Sequence, residues 1–101
     1  MAYRVVILEE AQREYRGIVD YLANVLRSRQ AAIGFMDEFA HQVALIEENP
    51  TLFALSRLPE LAAYGYRACC VNNYIMLYKT ADDLVMIAHV FHQSQNYAKL
   101  A

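Results

Sequence analysis

Several residue types are scarce in this chain of 101 residues. Tryptophan is absent, and there are only three glycines, two prolines and two cysteines. With charged residues at 20%, this composition excludes a disordered or collagen-like polymer. A hydrophobic fraction of 57% over this length supports one core and leaves no room for a second. We therefore expect one domain that spans residues 1–101.

The two cysteines, Cys69 and Cys70, are neighbours in the sequence. A disulfide between them closes no useful loop, so a disulfide scaffold is excluded. The pair also lacks the second set of ligands that a structural zinc site requires. We expect one thiol to be buried and the other exposed, since neighbours on a strand face opposite sides. We expect no metal and no cofactor.

Long apolar runs are also missing. The longest covers residues 84–90, with His89 inside it, and is far shorter than the roughly 20 residues that cross a bilayer. Glu9 and Glu10 directly follow the first apolar residues, which is unlike a secretory signal. We expect a soluble, cytoplasmic protein with no membrane partner.

Positive charge is in short supply. The net charge is −2 and the isoelectric point is about 5.8, whereas dedicated nucleic-acid binders usually carry a strong basic excess. Eight of the eleven acidic residues lie in the first 50 residues, so the second half is nearly neutral. This distribution is weak evidence against RNA or DNA as the main partner.

The first half of the sequence predicts one strand and two helices. Residues 3–8 form a short β-branched run that is typical of a strand. Apolar residues then recur at intervals of three and four over residues 11–26 and again over residues 32–46, which predicts two amphipathic helices. Ser28 is placed to cap the second helix, and Pro50 ends it. Two consecutive helices with a tight connection form a helical hairpin.

The second half predicts three strands. Residues 51–64 are irregular and predict a loop with one helical turn. Strands follow over residues 66–71, 74–79 and 84–92, and the turns between them are so short that the strands must be antiparallel. The first turn is an Asn-Asn pair, and asparagine tolerates the positive φ of hairpin turns.

The order β-α-α-β-β-β predicts a two-layer α+β domain. It consists of an N-terminal strand, a helical hairpin and a three-stranded antiparallel meander, with the helices on one face of the sheet. The last strand is apolar on both faces, as a central strand would be, and the first strand pairs at an edge.

Both faces of the predicted meander are rich in apolar and aromatic residues. Alternation places Tyr74, Met76 and Tyr78 on one face of the middle strand, and Ile75 and Leu77 on the other. Because the helices cover only one face, we expect something else to cover the second. The candidates are a partner segment, a second copy or the chain's own C-terminal tail. A groove for a partner peptide is the functional form of this hypothesis.

Several short motifs lie in the second half of the chain. They are Gly65-Tyr66-Arg67 at a strand opening, Asn73-Tyr74 and Tyr78-Lys79 in the next strand, and the closing run His92-Gln93-Ser94-Gln95-Asn96-Tyr97. With the element order, these motifs resemble the RelE/ParE superfamily of bacterial type II toxins over essentially the whole chain. The resemblance implies a small cytoplasmic toxin that a cognate antitoxin neutralises. It also implies that the antitoxin's C-terminal segment wraps the toxin and covers the exposed sheet face.

The superfamily divides by chemistry, and the resemblance is closer to the ParE branch. The ParE branch inhibits DNA gyrase and is not a nuclease, whereas the RelE branch cuts mRNA in the ribosomal A site. In the RelE branch an arginine commonly follows the residue at the start of the middle strand, where this chain has Ile75. We therefore expect a toxin that binds gyrase. The expected target- or partner-binding residues are Tyr66, Tyr74, Lys79, Gln93, Gln95 and Asn96.

Cleavage of mRNA without a metal is the alternative. It needs a base for the 2′-OH proton, an acid for the leaving 5′ oxygen and fixed cations on the phosphate. The candidates are Arg67 as phosphate clamp, His92 as acid or base, and Tyr97 as acid or stacking platform. One clamp and one histidine are few for this chemistry, which favours a binding protein over an enzyme. A second alternative is an inactive peptide-binding domain of the same fold.

Two further histidines have ordinary structural explanations. His89 lies in the middle of a strand among apolar residues, which favours a buried, hydrogen-bonded role over catalysis. His41 lies on the polar side of the second helix, and we expect it to be exposed to solvent.

Overall fold

A computed structural model describes residues 3–94. This part of the chain forms strands β1 (Arg4–Ile7), β2 (Arg67–Val71), β3 (Tyr74–Ala81) and β4 (Leu84–His92), and helices α1 (Glu9–Asp20), α2 (Arg29–Glu48) and α3 (Pro59–Ala63). The α+β class, the N-terminal strand, the helical hairpin and the final meander confirm the predicted fold. No helix within residues 3–94 is both long and apolar enough to cross a membrane.

The four strands form one sheet in the order β1-β4-β3-β2. β1 is parallel to β4, and the other two pairs are antiparallel. β4 is therefore a central strand, which explains why it is apolar on both faces. β1 is short and pairs only with the first half of β4, from Leu84 to Ile87. The second half of β4 extends beyond β1, towards α1.

The helical hairpin and one face of the sheet enclose the main core. Phe35 is 1% exposed, and its ring centroid lies 5.1 Å from that of Tyr74 on β3 and 5.5 Å from that of Tyr15 on α1. This aromatic cluster joins the two helices to the sheet. At the start of α2 the Ala31 amide donates to the Ser28 hydroxyl oxygen at 3.1 Å, which confirms the predicted cap.

The connection between the two helices differs from the prediction of one regular helix through residue 26. The α-helix ends at Asp20 and continues as a π-helical turn, Tyr21–Val25, in which the Leu26 amide donates to the Tyr21 carbonyl at 2.9 Å. The wider turn keeps Leu22 buried but leaves Tyr21 47% exposed. Single π-helical turns within helices often occur at functional sites.

The second face of the sheet is sealed in its centre by the chain itself. α3 and its flanking loop fold over it, so that Leu61 is 1%, Leu77 0% and Phe91 3% exposed. Our expectation that a foreign chain or the C-terminal tail covers this face is therefore wrong for its centre. The segment predicted to be a loop with one helical turn contains one short helix, with Pro59 in its first turn, a position that proline favours.

A β-bulge interrupts the pairing of β3 with β4. Leu77 lies opposite His89 and Tyr78 lies opposite Ile87, so Ala88 is an extra residue in β4. Strict alternation predicts Phe91 on the same face as Ile87, but the bulge reverses the alternation. Phe91 consequently packs in the second core, whereas Ile87 packs in the main core.

Candidate functional site

A groove of about 580 Å³ lies between the end of β4 and the helical hairpin. It lies where β4 extends beyond β1, and Tyr21 at the start of the π-helical turn forms part of its lining. We refer to it as the β4-end groove. Its lining residues are Glu14, Gly17, Ile18, Tyr21, Tyr74, Val90, Phe91 and His92.

Tyr74 and His92, two of the predicted site residues, lie together in this groove. They are direct partners across β3 and β4, and their rings meet edge to face with centroids 5.4 Å apart and planes at 87°. Burial raises the pKa of Tyr74, and the nearby Tyr21 adds to the effect. The Tyr74 phenol therefore stays protonated at neutral pH, as a hydrogen-bonding and stacking group.

His92 is held by the turn that follows it. Its Nδ1 accepts the Ser94 amide hydrogen at 3.1 Å and lies 2.7 Å from the Ser94 hydroxyl oxygen. These two contacts fix the orientation of the imidazole ring at the edge of the groove. Gln93 is exposed beside it, and its backbone amide donates to the Asn73 carbonyl at 3.0 Å.

The wall of the groove on α1 carries one carboxylate, that of Glu14. Its Oε1 accepts the Val90 amide hydrogen at 3.0 Å, and its Oε2 lies 3.3 Å from Nδ1 of His89. His89 thus has a hydrogen-bonding partner, as predicted, although its side chain is partly rather than fully buried. His41, in contrast, is exposed on α2, as predicted.

Arg67 lies far from this groove. It is opposite Tyr78, four residues along β3 from Tyr74, which pairs with His92. Four residues of strand separate the two positions by about 13 Å. The Arg67 guanidinium donates to the Phe53 carbonyl at 2.7 Å. The described residues therefore do not bring Arg67 and His92 together, and Tyr97 lies outside the described residues.

The remaining predicted residues divide between two surfaces. Lys79 and Tyr66 lie on the second face of the sheet, where the Lys79 ammonium is 4.6 Å from the centroid of the Tyr66 ring. This cation–π pair borders the core under α3. Tyr74 packs against the main core on the opposite face, and Gln93 is exposed in the turn after β4. Gln95 and Asn96 lie outside the described residues.

Two groove residues were missed from the sequence. Glu14 resembles any polar residue on the outer side of a helix, and its strand contacts depend on tertiary structure. Tyr21 lies outside the apolar stripe of the first helix. A large aromatic side chain on the polar side of a helix is a sequence feature that could have indicated a binding residue. No group of three His, Cys, Asp or Glu side chains within residues 3–94 is placed to hold a metal ion.

Comparisons with known proteins agree with this fold and identify the family. The fold is that of the RelE/ParE toxins. The sequence profile described as the ParE toxin of the type II toxin-antitoxin system parDE matches residues 5–97. The chain therefore belongs to the ParE toxin family, whose members are the toxin components of type II toxin–antitoxin systems. A comparison with the sequences of curated proteins finds no match.

Solved structures show the same fold at low sequence identity. A chain of the chromosomal ParDE system from Pseudomonas aeruginosa is 15% identical, with a TM-score of 0.70 over 90% of this chain and 96% of that one. YafQ from Escherichia coli is 20% identical, with a TM-score of 0.55 over 91% and 94%. The RelBE2 complex from Mycobacterium tuberculosis contains a chain that is 15% identical, with a TM-score of 0.53 over 92% and 100%.

The bond from Arg67 to Phe53 predicts a structural effect of substitution. We expect Arg67→Ala to lower the free energy of unfolding by roughly 1–2 kcal/mol, because the Phe53 carbonyl loses its charged donor. Arg57→Ala, at an exposed position in the preceding loop, is the matched control and should change stability little. Urea unfolding measures both. If Arg67→Ala is as stable as the wild type but no longer inhibits growth, Arg67 instead belongs to the surface that binds the target.

The two cysteines differ in the way predicted from the sequence. Cys69 is 1% exposed and Cys70 is exposed. Burial raises the pKa of the Cys69 thiol from 9.0 to about 12, and the neighbouring Cys70 and Glu38 add to the increase.

This difference predicts how the thiols react and how stability depends on pH. Near pH 8 a thiol reagent should label one cysteine per native chain rapidly, and both in urea. Because folding raises the Cys69 pKa, its contribution to stability is fully present below about pH 9 and is lost as pH rises towards 12. Urea midpoints measured from pH 8 to 11 should fall less in Cys69→Ala than in Cys70→Ala. Equal falls in the two variants would contradict the assignment.

Proposed function

We propose that this toxin arrests growth by binding DNA gyrase through the β4-end groove and the adjoining end of β4, without catalysing a reaction. Membership of the ParE family supports this target, since the ParE branch is the gyrase-inhibiting branch of the superfamily. The proposal needs a surface that binds a large partner and does not need an assembled acid, base and phosphate clamp.

The chemistry of the β4-end groove is the observation that carries this proposal. Its lining residues are aromatic, aliphatic or uncharged apart from His92 and the Glu14 carboxylate, and none of them is Lys or Arg. A carboxylate repels phosphate, whereas aromatic side chains around a groove are typical of protein–protein binding sites. The one predicted phosphate clamp, Arg67, is bonded to a backbone carbonyl elsewhere.

We further propose that a cognate antitoxin neutralises the toxin by covering the surface next to this groove. The RelBE2 structure is that of a toxin–antitoxin complex. In the present chain the π-helical turn and the residue after it expose three large apolar side chains. They are Tyr21 in the groove lining, at 47%, Val25 at 63% and Leu26 at 53%. Contiguous exposed apolar residues are typical of a protein-binding surface. An antitoxin segment on this turn would block access to the groove.

Inhibition of purified gyrase tests the proposed target. The wild-type protein should bind gyrase in a pull-down and inhibit DNA supercoiling. We expect Tyr21→Ala to raise the concentration required for inhibition by about tenfold, the effect of losing one aromatic anchor. Tyr64→Ala removes the same side chain from a position that is 68% exposed outside the groove, and should have no effect. Wild-type protein that neither binds gyrase nor alters supercoiling would overturn the proposal.

A further inference from the structure

Glu14 contacts β4 at the point where β1 has ended. β1 pairs with β4 as far as Ile87, and the Leu8 amide donates to the Ile87 carbonyl at 2.9 Å. Beyond that residue no strand of the described chain lies along this edge of β4. A buried strand edge without a neighbouring strand needs other hydrogen-bond partners for its backbone groups.

The bulge at Ala88 changes which backbone amide faces this edge. Before the bulge, Ile87 directs its carbonyl towards β1. The extra residue shifts the alternation by one, so that the Val90 amide points outwards in the second half of the strand. It meets the Glu14 Oε1 at 3.0 Å, in the place that a strand carbonyl would occupy.

Both oxygens of the Glu14 carboxylate are used in this contact. The second oxygen, Oε2, is 3.3 Å from Nδ1 of His89, and the side chains are 19% exposed for Glu14 and 14% for His89. Hydrogen bonds to a charged acceptor are stronger than neutral ones, and partial burial limits competition from water. One helical side chain thus binds two successive residues of β4.

We infer that Glu14 is a positioning residue for target binding. It holds the last residues of β4 against α1 and so fixes His92 relative to Tyr74 and Tyr21 across the β4-end groove. This inference rests on the proposed function, because it assumes that the groove is the surface that binds the target.

Three substitutions on α1 separate the parts of this role. Glu14→Ala removes both hydrogen bonds, whereas Glu14→Gln keeps an oxygen for the Val90 amide and an amide donor for His89. Glu10→Ala, one turn earlier, removes an exposed carboxylate that pairs only with Arg13 among the described contacts, and is the matched control. If Glu14→Ala does not fold, Glu14→Asp is used in its place. This variant keeps the negative charge but shortens the side chain by one carbon, so that the carboxylate no longer reaches β4.

Amide hydrogen exchange of the full chain and gyrase inhibition are then measured on each variant. We expect Val90 to exchange about tenfold faster in Glu14→Ala, the effect of losing one charge-assisted hydrogen bond. The concentration needed to inhibit gyrase should rise about fivefold or more in the same variant. Glu14→Gln should restore both values to within about threefold of wild type, and Glu10→Ala should match wild type.

The two measurements distinguish failure of this inference from failure of the proposed function. Unchanged Val90 exchange in Glu14→Ala overturns the inference. Faster exchange with gyrase inhibition equal to wild type also overturns it, because Glu14 would then position nothing that the target contacts. If the wild-type protein does not inhibit gyrase, the proposed function is overturned, and the role of Glu14 in target binding is overturned with it. Faster Val90 exchange in Glu14→Ala would then show only that Glu14 holds the strand.

Discussion

Replacing Phe35 by alanine is expected to lower the free energy of unfolding by about 3–5 kcal/mol. Phe35 is 1% exposed and lies at the centre of an aromatic cluster, with ring centroids 5.1 Å from Tyr74, 5.5 Å from Tyr15 and 6.1 Å from Phe39. The substitution removes buried apolar area and leaves a cavity that three rigid rings cannot fill without moving. Because domains of this kind are stable by only about 5–15 kcal/mol, the variant should be close to unfolding at 37 °C.

Urea unfolding followed by circular dichroism measures this loss. Ile33→Ala is the matched control, since it shortens an apolar side chain on the same helix at a position that is 42% exposed. We expect the control to cost less than about 1 kcal/mol. A Phe35→Ala variant as stable as Ile33→Ala would show that the aromatic cluster does not join the hairpin to the sheet.

Leu61→Ala is expected to lower the free energy of unfolding by about 2–4 kcal/mol. α3 has five residues, too few for a helix to be stable by itself. Its position depends on Leu61, which is 1% exposed and packs on Leu77 and Phe91 of the second sheet face. Losing this anchor should loosen α3 and expose the centre of that face to water.

The control for this prediction is Leu52→Ala, which truncates the same side chain in the same connection at a position that is 47% exposed. Urea unfolding should show a small change in the control, and binding of a hydrophobic dye should rise only in Leu61→Ala. Equal stabilities of the two variants would mean that α3 does not seal the second face. A foreign chain would then again be required to cover it.

The regular elements could be predicted because their signals are local. The alternation in the strands, the three-and-four spacing in the helices and the Ser28 cap each act within a few residues. The turn between β2 and β3 was also predictable, since Asn72 has the positive φ, 56°, that asparagine tolerates.

The π-helical turn and the bulge could not be predicted, for two related reasons. The spacing of the apolar residues between 18 and 26 fits a regular helix and a π-helical turn equally well. The sequence pattern therefore does not indicate where the α-helix changes into a π-helical turn. β4 is apolar on both faces, and a strand of that kind gives no alternation from which a shift at Ala88 could be inferred. Both features lie beside the β4-end groove, where local rules are most often broken.

The candidate site was predicted in part. Tyr74 was predicted from the family resemblance and His92 from its acid–base chemistry, and strand pairing places them together. Arg67 has the chemistry of a phosphate clamp, but its partner is the carbonyl of Phe53, 14 residues away, and a backbone partner leaves no mark in a sequence. The role of Glu14 depends on a bulge and on the length of β1, so it also required the structure.

Plasmid topology and transcript ends, measured in the same culture after induction of the protein, test most directly whether this toxin acts by binding gyrase rather than by cutting mRNA. The account predicts that plasmid DNA loses negative supercoils as growth stops, while translated transcripts stay intact by primer extension. Normally supercoiled plasmid together with transcripts cut at the ribosomal A site would contradict it.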